Sequence, residues 1–254
     1  GPDPGRTHPP RQATWHMTAL PPIGLWGVDA PLSRLTGGHR NHAFRTTGLK
    51  RDLVFKSTSR SAEALAWLAP VHAAARAAGF AVPGLIPSRN GALAEQGWTC
   101  EPFLTGAPFT AADLPTLAPR IQSFHRATRT MPQRPGFLSS RDLITQDQGG
   151  DVDLSAMPDA LARACRAAWA ALTGEETVIH ADLSPGNILH GADGLPILLD
   201  WDESRRDRAA FDLAQFGPPD AATRRAALAW EVACCWQVEP DHARVLARGL
   251  ADPA

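Results

Sequence analysis

VIHADLSPGNILH, running from Val178 to His190, and ILLDWDE, from Ile197 to Glu203, are the stretches on which the reading of this chain turns. They gather His180, Asp182, Asn187, Asp200 and Asp202 into one short region of an otherwise Ala- and Arg-rich sequence. Ser184-Pro185-Gly186-Asn187 forms a turn in any protein, so the plainest reading is that each polar residue caps a bend. The flanking pattern asks for more. Ile188-Leu189 and Pro196 to Leu199 are apolar runs separated by Gly191-Ala192-Asp193-Gly194, the composition of a hairpin. Closing that hairpin brings Asn187 and Asp200 to one end of it.

The spacing then has a chemical meaning. Asp182 and Asn187 reproduce the D-L-x-x-x-N interval of a kinase catalytic loop, with His180 two residues before the Asp. Phosphoryl transfer needs a carboxylate to receive the acceptor's proton and hard oxygen ligands for Mg²⁺ on the phosphates. Asp182, Asn187 and Asp200 are the groups of the right type, and Asp200 ends an apolar strand where a metal-binding carboxylate belongs.

The rest of the chain bounds this reading. At 254 residues it is long enough for one large domain or two lobes. Residues 1–100 carry 11 basic and 5 acidic side chains, 11 − 5 = +6, and residues 101–254 carry 14 and 21, 14 − 21 = −7. That split suits an anionic ligand on one side of a cleft and a cation on the other, or simple attraction between lobes. No basic run points to nucleic acid, and no apolar run is long enough for a membrane span. Cys100, Cys165, Cys234 and Cys235 have neither zinc nor disulfide-framework spacing, which favours a reducing, cytoplasmic setting. Residues 1–20 are Pro-rich and polar and read as a disordered tail.

Strand-like pieces follow from Leu32, with Asp52 to Thr58 a buried strand ending near Lys56. Ser61 is a good N-cap for an Ala-rich helix ending at Gly79, which Pro70 is expected to kink or divide. Asn90-Gly91 carries the signal of a β-hairpin. After Thr110 the pattern is helical, interrupted by a polar, Gly-containing stretch from Phe137 to Pro158 that reads as a functional loop. The boundaries expected are an N-terminal lobe over 21–102 and a C-terminal lobe over 103–254.

HADLSPGNIL, LLDWDE and FDLA together resemble the signature of the aminoglycoside phosphotransferase and choline kinase-like family. The likeness covers about Leu35 to Leu213. It implies an α+β, two-lobed protein-kinase-like fold, with a small β-sheet lobe plus helix and a mostly helical C-terminal lobe. It also implies MgATP as donor and a small molecule as acceptor. On that pattern Asp182, Asn187 and Asp200 are catalytic, with Asn187 and Asp200 on the metal. Only two lysines stand against 23 arginines, and Lys56 ends the DLVF run, where a compact ammonium meets the phosphates. Glu63, the one acid after Asp52 and before Gly79, is its expected partner. Gly37, Gly38 and Asn41 fall where the family covers the phosphates, although the sequence lacks GxGxxG. Glu101 through its carbonyl and Phe103 through its N–H are the expected adenine contacts. His180, His125 and Asp212 read as braces of the loop. Asp202 fits a second metal, a substrate contact or solvent equally well.

Two other readings stand beside this one. A metal-dependent hydrolase would use His180, Asp182, His190, Asp200 and Asp202 as ligands, and a nucleotide-binding pseudokinase would keep the fold without turnover. For the acceptor, Asp142, Asp147, Asp151 and Asp153 hint at a cationic or polyhydroxyl molecule, and Trp201, Trp230 and Trp236 are available to an aromatic cage.

Overall fold

The computed structural model describes residues 20–35 and 42–251. Gly37, Gly38 and Asn41, and all but the last residue of the expected tail, lie outside the described residues. The chain begins with β1 (Leu32–Leu35), β2 (Ala43–Thr46) and β3 (Leu53–Ser57). Helices α1 (Ala62–Ala66) and α2 (Leu68–Ala77) follow, then β4 (Ala94–Glu95) and β5 (Trp98–Pro102). These strands form one antiparallel sheet in the order β1-β2-β3-β5-β4. Alternation along β3 and β5 directs Phe55, Trp98 and Cys100 into a cluster with Phe44 and Trp26. The same alternation turns Lys56, Thr99 and Glu101 to the opposite face, toward the rest of the molecule.

Two local expectations resolve differently from their sequence signals. The Ala-rich helix is divided, but at Trp67, and Pro70 sits in the first turn of α2, where its missing N–H costs nothing. The hairpin of this lobe closes at Gln96-Gly97 rather than at Asn90-Gly91. Both have positive φ, 50° and 80°, as a two-residue turn between twisted strands requires. Asn90-Gly91 makes a tight turn of its own, with Ser88 N–H bonded to the Ala92 carbonyl.

The remainder contains β6 (Ala107–Pro108), α3 (Ala118–Thr128), β7 (Gln148–Gly149), β8 (Val152–Asp153), α4 (Asp159–Ala170) and β9 (Glu176–Ile179). It continues with β10 (Ile188–His190), β11 (Pro196–Leu198), β12 (Arg205–Arg208), α5 (Ala210–Leu213), α6 (Ala221–Cys235) and α7 (Pro240–Ala251). Three small sheets, β6-β10-β11, β9-β12 and β7-β8, are set among these helices. On α3 the buried residues are Ile121, Phe124, His125 and Thr128, one helical face. That face meets Val71 and Ala75 of α2 together with Val178, Ile188 and Leu198, so the first lobe's helix shares a core with β9, β10 and β11. A second core joins Cys165 and Trp169 of α4 to Ala226, Ala229 and Val232 of α6. All four cysteines are buried free thiols. Among the described residues no helix is long and apolar enough to cross a membrane.

Candidate active site

The segment that links β9 to β10 is held by a buried carboxylate. Asp212 on α5 accepts the backbone N–H groups of His180 and Ala181, each at 2.9 Å, and the His125 Nε2 proton at 2.9 Å. Burial alone would raise its pKa, but the His125 hydrogen bond and charge, with His180 and the Ala181 N–H, outweigh it and hold the carboxyl below its ordinary value. Ala181 needs that grip, because its φ of 76° is a conformation costing a side-chain-bearing residue about 1–3 kcal/mol.

His180 is fixed in one tautomer. Its Nε2 lies 2.8 Å from the Leu199 carbonyl, which can only accept, so Nε2 carries the proton and Nδ1 accepts from the Asp182 N–H at 3.3 Å. The ring is buried against Trp201. His180, His125 and Asp212 therefore brace the loop, and Asp182 inherits its position from them.

Asn187 donates Nδ2 to the Asp182 Oδ2 at 2.7 Å, joining the proposed base to the proposed metal ligand. Across the hairpin, the Leu199 N–H donates to the Asn187 carbonyl at 2.9 Å, continuing the β10–β11 register. Asp200, next in chain, leaves the strand with φ 58°, a left-handed turn that Asp tolerates better than most residues. Its side chain remains 45% exposed, facing the cleft.

Lys56 reaches this point from β3, with Nζ 3.9 Å from Asp200 Oδ1. Its close partner is Glu101 at 2.8 Å, not Glu63. Glu63 is exposed in the first turn of α1, where hydrogen bonds to its own backbone and to Ser61 hold its carboxyl below the ordinary value. The cause is register. Lys56 lies opposite Thr99 and Val54 opposite Glu101, so Lys56 and Glu101 are diagonal neighbours on one face. Burial works to lower the lysine's pKa, but the charges of Glu101 and Asp200 prevail and raise it. Lys56 is an ammonium ion here.

The same register corrects the hinge. Phe103 N–H donates to the Asp52 carbonyl at 2.9 Å, so Phe103 and, two residues back, Glu101 turn their backbone polar groups into β3. Outward-facing groups belong to the alternate residues. Cys100 already accepts from the Ile86 N–H at 2.8 Å, which leaves the Pro102 carbonyl facing away from β3.

Arg60 and Arg134, on which no sequence expectation fell, also shape the site. Arg60, just after β3, engages Asp202 through Nε and Nη2 at 3.0 and 2.7 Å and Asp151 through Nη1 and Nη2 at 2.8 and 2.7 Å. Arg134 is 1% exposed; its Nε donates to the Ala64 carbonyl, and Nη1 to those of Trp201, Asp202 and Ser204. Burial lowers its pKa to about 10. It ties α1 to the loop that carries Asp200 and Asp202, and its Nη2 is left without a hydrogen bond at the wall of the Lys56 pocket. Nothing in the sequence distinguishes these two arginines from the other 21.

The hydrolase ligand set does not assemble. His180 spends both ring nitrogens on the loop, His190 stacks on Phe109 beside Asp113, and Asp202 is gripped by Arg60. Among the described residues no three His, Cys, Asp or Glu converge as a metal site. Among the described residues, Trp201, Trp230 and Trp236 form no aromatic cage either. Trp201 is buried in the core, Trp230 stacks under Arg205 and Trp236 donates to the Ala156 carbonyl.

A family model described as "Phosphotransferase enzyme family" matches residues 31–245. No curated protein sequence matches. Among solved structures, an aminoglycoside phosphotransferase, APH(4)-Ia, in ternary complex with AMP-PNP and hygromycin B is similar at TM-score 0.62 and 15% identity, covering 90% of this chain and 94% of that one. The choline kinase LicA from Streptococcus pneumoniae is similar at TM-score 0.57 and 13% identity, covering 88% and 94%. A macrolide 2'-phosphotransferase, MphH, from Brachybacterium faecium is similar at TM-score 0.53 and 16% identity, covering 91% and 96%. The shared architecture is the two-lobed kinase-like fold.

Proposed function

This chain belongs to the phosphotransferase enzyme family, and from that premise we propose that it transfers the γ-phosphate of MgATP to a hydroxyl group of a small-molecule acceptor. The observation that carries the proposal is the meeting of Lys56 from one lobe with Asp200 from the other, at 3.9 Å, beside the Asn187–Asp182 hydrogen bond. A cation, a half-exposed carboxylate and a braced carboxylate-amide pair are what in-line phosphoryl transfer requires.

The donor set fits Mg²⁺. Asp200 offers a half-exposed carboxylate, and Asn187, with Nδ2 committed to Asp182, has its amide oxygen left to offer, both hard ligands. That ion, when bound, neutralises phosphate charge. Asp182 orients the acceptor hydroxyl and receives its proton, while Asn187 keeps the carboxylate aimed. Lys56, steadied by Glu101, draws the phosphates toward the first lobe. The Pro102 carbonyl is the group offered to adenine. The acceptor enters a neighbouring cavity of about 300 Å³, which shares Thr58 and Asp202 with the Lys56 pocket. Its size suits a small molecule. Buried free thiols suit a reducing compartment such as the cytoplasm.

Calorimetric titration of ATP with and without Mg²⁺, run beside a turnover assay, tests the division of labour. Asp182→Asn is expected to keep MgATP affinity near wild type while transfer falls roughly 10²–10⁴-fold. Asp200→Asn is expected to lose the Mg²⁺-dependent part of the affinity together with the rate. Full activity in Asp200→Asn, or wild-type protein that binds nucleotide without turnover, would refute the assignment.

A further inference from the structure

The acidic stretch from Asp142 to Asp153, with Asp202, looks in sequence like a receptor for amines, but its carboxylates are occupied from within. Asp142 Oδ2 accepts the Ser139 N–H at 3.0 Å and its hydroxyl at 2.7 Å. Asp147 is paired with Arg166. Asp153 accepts from the Ser155 N–H at 3.0 Å and from Gln237 Nε2 at 3.4 Å. Asp151 and Asp202, which face the proposed acceptor cavity, share the single guanidinium of Arg60.

The Arg60 contact is built, not incidental. Its side chain is only 10% exposed, its fork spans two carboxylates, and its Cζ lies 4.9 Å from the centroid of the Phe137 ring. A guanidinium is the side chain suited to such a two-sided grip, since an ammonium has no fork. The other cavity residues include Thr58, Ser59, Cys234, Gln237 and Val238, and no aromatic ring. The lining therefore combines hydroxyl, amide and backbone groups with the apolar Val152 and Val238, and two of its three carboxylates are already answered by a cation.

We propose that Arg60 is a specificity-determining residue of the acceptor cavity: by engaging Asp151 and Asp202 it withdraws the carboxylates that a polycation would need, and so selects a compact polyhydroxyl acceptor carrying at most one positive charge. This rests on the phosphotransfer reading above for the identity of the cavity. A polycationic acceptor must displace Arg60 and leave a mostly buried guanidinium without partners, whereas a polyol is met by the Thr58, Ser59 and Gln237 side chains.

Neomycin serves as the polycationic probe, titrated calorimetrically into wild type, Arg60→Met and Arg60→Lys with and without MgAMP-PNP. Methionine keeps an apolar stem but removes the guanidinium from both carboxylates. The Met variant is expected to bind neomycin about tenfold more tightly than wild type, the effect of two partly exposed ion pairs, with the gain fading as salt rises. The Lys variant is expected to fall between them, and it carries the test alone if the Met variant does not fold. Adding Asp151→Asn to Arg60→Met is expected to reduce the gain. Wild-type affinity for neomycin equal to or above that of both variants overturns the proposal. Failure of wild type to bind MgAMP-PNP would instead overturn the phosphotransfer reading, leaving the neomycin comparison readable on the nucleotide-free protein.

Discussion

Replacing Asp212 with Asn is the perturbation whose size the structure allows to be worked out most fully. The carboxylate is completely buried and accepts three hydrogen bonds, from His180 N–H, Ala181 N–H and His125. An amide has one oxygen in place of two. Its best orientation keeps the oxygen on His180 and His125 and points Nδ2 at the Ala181 N–H, donor against donor. One charge-assisted bond is lost, about 1.5–3 kcal/mol, and a part-buried N–H is left unpaired, about 1–3 kcal/mol. The sum, about 2.5–6 kcal/mol, brackets the usual cost of about 3–5 kcal/mol for breaking a buried ionic contact. The lost bond is also the one holding Ala181 at φ 76°, so the loop is expected to relax and carry Asp182 out of position. Urea unfolding followed by circular dichroism measures the first effect, and turnover corrected for the folded fraction measures the second. In wild type the depressed pKa of Asp212 gives stability that is present above its unfolded pKa and lost as pH falls through its folded one, a contribution Asp212→Asn lacks. A loss below about 1 kcal/mol with an unchanged rate would refute the argument that this carboxylate sets the loop.

Lys56→Ala is expected to weaken MgATP use strongly and Glu101→Gln to do so more mildly, while Glu63→Ala leaves nucleotide affinity near wild type; equal losses at Glu63 and Glu101 would contradict the observed pairing. Burial lowers the pKa of His72 to about 3, so the folded state keeps this ring neutral while the unfolded chain protonates it. Wild-type stability should therefore fall as pH drops from about 6.5 toward 3, and His72→Phe, which preserves the ring against Trp201, should show a flatter acid limb in melting temperature against pH.

The segment proposed to carry catalysis was legible because its geometry is local. His180, Asp182, Asn187 and Asp200 are connected by one loop and one hairpin, and turn residues and apolar runs specify both. Bracing by His180 and Asp212 could be anticipated, since both sit within that neighbourhood in the chain. The partner of Lys56 could not. Choosing between Glu63 and Glu101 requires the register of β3 against β5, strands separated by α1 and α2, and proximity in sequence favoured the wrong acid. The hinge failed for the same reason, because a shift of one residue along a strand exchanges the inward and outward backbone groups. The β-hairpin signal at Asn90-Gly91 marked a true turn, but strand pairing was decided at Gln96-Gly97, where Gln accepts a positive φ that composition does not announce.

By itself, then, the sequence named the groups that the proposed chemistry uses: Asp182, Asn187 and Asp200 by residue type at short range, and Lys56 by its rarity at the end of an apolar strand. Tertiary structure alone decided which charges neutralise which. Arg60 reaches Asp151 and Asp202 across 91 and 142 residues of chain, and Arg134 ties Ala64 to the Asp200 loop across the two lobes. Coulomb attraction and hydrogen bonding act on distance in space, and one arginine among 23 carries no mark of the partner that folding will bring to it.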